Sequence, residues 1–141
     1  MKTTGLTAID HAPQVIAEWL NLLMHDLGWS DRRRAYKLLR ETLHTIRDFL
    51  TVDEAADLSA QLPLLVRGIF FEGWVPAKVP AEFRSVDDFL ERVKSAFEND
   101  PLVEPDVAIE AVFSLLRCHI STGQYRQVAS VMRKPLRDLW M

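Results

Sequence analysis

The sequence predicts an all-α fold, and three observations carry that reading. Apolar residues recur at the three-and-four spacing that lines one face of a helix. No strict apolar–polar alternation runs long enough for a strand. Only five glycines are present, so breaks are few.

The first predicted helix spans about Ala12 to Leu27. Val15, Ile16, Trp19, Leu20, Leu23 and Leu27 form its apolar stripe, and Gly28 supplies a stop. Ser30 or Asp31 caps a second helix reaching about Phe49. Its inward set is Ala35, Leu38, Leu39, Thr42, Leu43, Ile46, Phe49 and Leu50. Thr51-Val52-Asp53-Glu54 reads as a capping box, in which the Thr hydroxyl and the Glu carboxylate each take a free amide. The helix it opens carries Ala55, Leu58 and Leu62. Pro63 must kink it or start a fresh short helix running to about Phe70, because proline lacks an amide donor.

Residues 71–84, with Gly73, Pro76 and Pro80, read as a connector. Ser85-Val86-Asp87-Asp88 then starts another helix, followed by Phe89, Leu90, Val93 and Phe97.

The second half echoes the first. Laying Trp19 over Phe89 sets one fixed offset along the chain. With no gap, Leu23 then meets Val93, Leu43 meets Phe113, Ile46 meets Leu116, Arg47 meets Arg117 and Phe70 meets Trp140. Thr51 meets Ser121 and Glu54 meets Gln124, which predicts a second capping box in register. The expectation is one domain over 1–141 in two pseudo-repeated units. Unit one covers about 12–70 and unit two about 85–141. Neither half can bury its stripes alone, so they should share a core.

Leu62-Pro63, Arg67 and Phe71-Glu72-Gly73-Trp74 resemble the signature of a bacterial family, the domain of unknown function 2267. The segment Leu116 to Ser121 and the closing Leu136-Arg137-Asp138-Leu139-Trp140 extend the likeness across roughly Trp19 to Trp140. The second half departs from the pattern, since Lys134 rather than Leu precedes Pro135. The resemblance implies an all-helical bacterial protein and brings no activity or catalytic residues.

Composition narrows the function classes. Cys118 is the sole cysteine, which excludes a disulfide scaffold and a thiolate zinc site. A net charge of −3 argues against a general nucleic-acid coat. The N-terminal segment has no secretory apolar run, and Leu62 to Val66 falls far short of the ~20 residues of a bilayer span. The expectation is a soluble, cytoplasmic chain with no membrane association.

Catalytic signals are absent from the pattern. The four histidines show no HExxH spacing, the serines form no nucleophile elbow, and no glycine-rich phosphate loop occurs. Asp53/Glu54 and Asp87/Asp88 sit in first helical turns, where the helix dipole explains them. Glu98, Asp100, Glu104 and Asp106 lack a calcium-loop spacing. His119 reads as a buried core residue and Cys118 as a small core or boundary residue. The expectation is a non-enzyme with no metal and no cofactor.

Two features remain as candidate partner-binding residues. Arg33, Lys37, Arg40 and Arg47, with His44 among them, project from one face of the second helix as a basic strip about 21 Å long. That strip would dock an acidic partner or a phosphate backbone, or is simply solvated. Trp74 is an exposed anchor or a pin holding its loop to the core. The leading reading is a protein-interaction or adaptor module, or a homodimer. The alternatives are a small-ligand site between the halves at Trp74, Glu72 and His119, and nucleic-acid contact through the basic strip.

Overall fold

The computed structural model describes residues 3–141, the side chain of Val131 apart. All regular structure among the described residues is helical. A single turn, α1 (Thr7–Asp10), leads into α2 (Ala12–Leu27), which ends on Gly28 in the left-handed conformation at φ 67°. The sequence reading missed α1, which buries none of its residues.

Asp31 rather than Ser30 caps α3 (Arg32–Phe49), accepting the Arg33 and Arg34 amides. The capping box at Thr51 and Glu54 forms as expected and opens α4 (Val52–Ser59). Pro63 breaks the chain cleanly. It stands at the N-cap of a new helix, α5 (Leu64–Phe71), rather than inside its first turn. The connector holds one 3-10 turn, Pro76–Lys78. Ser85 and Asp88 make a second complete capping box at the start of α6 (Val86–Ser95). Then come α7 (Pro105–His119), α8 (Thr122–Val131) and α9 (Lys134–Trp140).

The expected box at Ser121 is only half made. Ser121 accepts the Gln124 amide at 3.3 Å, but the Gln124 carbonyl takes the Ser121 hydroxyl at 3.0 Å instead of reaching the cap amide. A neutral glutamine gains less from that amide than a carboxylate does.

The middle of the molecule is α3 against α7. α3 also packs on α2, α5 and α6, while α7 packs on α2, α6 and α9. α4 meets α8 at one end. One apolar cluster runs through both halves, from Trp19, Leu43 and Phe70 to Phe89, Phe113 and Trp140. Several edge-to-face aromatic pairs knit it together, including Phe49 on Phe89 across the halves at 5.3 Å.

Candidate functional site

The basic strip of α3 is shorter than its sequence spacing implies. Arg33 is exposed, and Lys37 and Arg40 are half-buried. Lys37 Nζ lies 4.9 Å from the Phe97 ring centre, and the Arg40 guanidinium lies over Tyr36 at 5.5 Å. Both cations are therefore partly used within the protein.

Arg47 and His44 do not belong to the strip. Arg47 is 4% exposed. Its guanidinium donates to the carbonyls of Phe70 at 3.1 Å and Glu72 at 2.7 Å, and to the Asp48 carboxylate. His44 Nε2 meets the Ile69 carbonyl at 2.7 Å, and burial pushes its pKa down. The reason is tertiary: α5 and the connector close over the C-terminal half of α3's polar face. The docking role assigned to Arg47 is thereby corrected to a structural one.

Asp48 completes this latch. Burial alone would raise its pKa, but hydrogen bonds and charge from Arg47 and Arg92 outweigh that and hold it below the usual 3.8. Arg92 bonds the same carboxylate from α6, and the Asp48 carbonyl accepts the Ala81 amide at 2.8 Å. The connector is thus fixed to α3 and α6 together.

Trp74 pins its loop. It is half-buried against Phe71, with ring centres 5.0 Å apart. His119 is exposed rather than buried, and its ring lies 4.6 Å from that of Trp19. Cys118 beside it is also exposed. Trp74 and His119 are thus held by different neighbours, and the recesses described below are lined by neither of them, nor by Glu72.

A different surface is recessed. A groove runs between α2 and α7, made of adjoining recesses of about 440 and 220 Å³ that share Asp26, Ala111 and Ser114. Its apolar lining includes Leu22, Leu27, Val107 and Leu115. Leu22 and Val107 are 49% and 48% exposed, although each lies beside a packed helix pair. Asp26, Asp106 and Glu110 supply the polar rim, and a third recess extends past Leu27 to Val103 and Glu104. Val103 is 94% exposed.

The sequence points to none of these residues as a partner site; it raises Glu104 and Asp106 only as calcium ligands, without the loop spacing. Leu22 did carry a signal, because it lies off the inward stripe of α2 yet is large and apolar. Val103 and Val107 sit among acids, where a solvated segment would carry polar groups.

Residues 16–139 match the model of a family described as an uncharacterized conserved protein, DUF2267. The chain belongs to this family. No curated protein matches it. The DUF2267 match begins at Ile16 in α2 and ends at Leu139 in α9, so it takes in both walls of the groove. Among the described residues no group of three or more His, Cys, Asp or Glu side chains could hold a metal ion. No described helix is long and apolar enough to cross a membrane.

Proposed function

We propose that this DUF2267 protein is a non-enzymatic protein-interaction module whose partner binds in the α2–α7 groove. The observation that carries the reading is the groove itself. It keeps Leu22, Val107 and Val103 in water along a continuous recess, at a cost in hydration that a bound partner would offset. Elsewhere, several polar residues that could do chemistry have structural work: Thr51, Ser85 and Ser121 cap helices, while Arg47, Asp48 and Arg92 fasten the connector.

The reading also takes the two halves as copies of one four-helix unit. Arg47 donates to the Phe70 carbonyl and Arg117 to that of Trp140, so donor and acceptor are displaced by the same step along the chain. The pairs Trp19/Phe89, Leu43/Phe113 and Leu62/Met132 are buried alike, which supports it. The groove then lies between the first helix of one copy, α2, and the second helix of the other, α7, where packing of the copies leaves a seam.

In-cell photo-crosslinking tests the reading. A photoreactive amino acid placed at Val107 or Leu22 should give a discrete protein adduct, while the same group at Arg33 or Val75 should give none. No adduct from either groove position, or adducts from the control positions alone, would remove the proposal. An adduct of twice the chain's mass would identify the partner as a second copy.

A further inference from the structure

We infer that the groove receives a cationic amphipathic helix from another protein. The inference rests on the groove being the partner-binding surface. The floor sets the first requirement. From Asp106 to Cys118, α7 advances about 18 Å at ~1.5 Å per residue, long enough to seat three turns of helix. The exposed Leu22 and Val107 and the half-buried Leu27, over the buried Ala111 and Leu115, offer that helix an apolar bed, which an amphipathic segment fills with residues at i, i+3, i+4 and i+7.

The rim sets the second requirement. Residues 98–110 hold Glu98, Asp100, Glu104, Asp106 and Glu110 and contain no lysine or arginine. Two of these acids have partners: Asp100 pairs with Arg34, and Glu110 with Arg117. Asp26, Glu104 and Asp106 are in no ion pair among the described residues. The nearby Arg34 is occupied with Asp100 and with the Trp29 and Phe97 rings. The groove therefore presents unneutralised carboxylates on both walls, Asp26 from α2 and Asp106 from α7, over an apolar floor. Lysine or arginine flanking an apolar stripe complements that arrangement, and an acidic helix is repelled by it.

The test uses the full chain and two synthetic helical peptides of about 18 residues, long enough to lie along the floor, with identical apolar positions. One carries lysine on both flanks and the other glutamate. Fluorescence anisotropy should show the lysine peptide binding roughly tenfold or more tightly than the glutamate peptide. Raising salt from about 50 to about 300 mM should weaken it severalfold, because the rim charges face solvent.

Asp26→Lys with Asp106→Lys should abolish the preference for lysine. The isosteric pair Asp26→Asn with Asp106→Asn should give a partial loss, and it guards against misfolding of the charge-reversed chain. Arg33→Glu with Lys37→Glu should change nothing. Equal affinity for the two peptides, binding of neither, or sensitivity to the Arg33 and Lys37 changes instead would each overturn the inference. So would a crosslinked adduct of twice the chain's mass. If crosslinking at Val107 finds a different protein while the lysine peptide fails, the partner's chemistry is wrong and the groove reading stands. If Val107 and Leu22 crosslink nothing, both fall.

Discussion

Arg47 and Arg117 each reach a main-chain carbonyl near the end of a later helix, but only one of them is sealed. Around Arg47 the chain turns from α5 into the connector, so the Glu72 carbonyl and Asp48 close over the guanidinium. Arg117 keeps a third of its side chain in water. Its partners are the solvent-exposed Glu110 and, at 3.4 Å, the Trp140 carbonyl. The aromatic ends differ in the complementary sense. Phe70 meets Phe71 edge-to-face at 5.1 Å, whereas Trp140 stacks on Tyr125 at 4.1 Å and donates its indole N–H to the Tyr125 carbonyl at 2.9 Å. The end of α3 is locked by an ion network centred on the buried Arg47, and the end of α9 by stacked rings. The same helical register accommodates either solution, because register fixes where a side chain starts and the neighbouring segment fixes what it meets.

The largest effect should come from the rings. Trp140→Ala removes a fully buried side chain and should cost about 4 kcal/mol, exceeding Phe70→Ala at about 3 kcal/mol. Urea unfolding of both variants checks the order, and a larger loss from Phe70→Ala would break the comparison.

Arg47→Met comes next. It leaves two carbonyls and part of Asp48 without their donor and should cost about 3 kcal/mol, against about 1 kcal/mol for Arg117→Met. Equal thermal shifts in the two variants would mean that burial around Arg47 contributes nothing.

The latch should also be visible in pH. The Asp48 carboxyl is depressed in the folded state, so its contribution is present above the unfolded value of about 3.8 and is lost as pH falls through the folded value. Asp10 and Asp88 are depressed as well, by hydrogen bonds from Thr4 and Ser85. The informative quantity is therefore the stability gap between wild type and Asp48→Asn, which should shrink below about pH 4. A gap independent of pH would show that the network does not depend on the ionised carboxylate.

The smallest difference lies in the caps. Thr51→Ala breaks a complete capping box and should cost about 1 kcal/mol, while Ser121→Ala breaks half of one and should cost about 0.5 kcal/mol. Thermal melts of the two variants resolve the pair.

Much of the fold is readable without coordinates. The bounds Ala12 to Leu27, the stop at Gly28, the restart after Pro63 and the box at Thr51 follow from interactions within a few residues of one another, and the structure has them there. The inward stripes are readable for the same reason, since a helix fixes which residues share a face. The site was not readable. The spacing of Arg33, Lys37, Arg40, His44 and Arg47 puts them on one face but says nothing of what covers it. His119 shows the converse, predicted buried by its stripe and left exposed at the end of α7.

Most of the helices, several of their caps and most of the core follow from the chain's local order, because those depend on short-range hydrogen bonding and on the periodicity of apolar side chains. Tertiary structure alone decided that Arg47 is a buried tie and that Leu22, Asp26, Asp106 and Val107 line one recess. The recess is a property of two helices far apart in sequence, with Leu27 in one and Val107 in the other, and whether a surface side chain is covered depends on the segment that packs beside it.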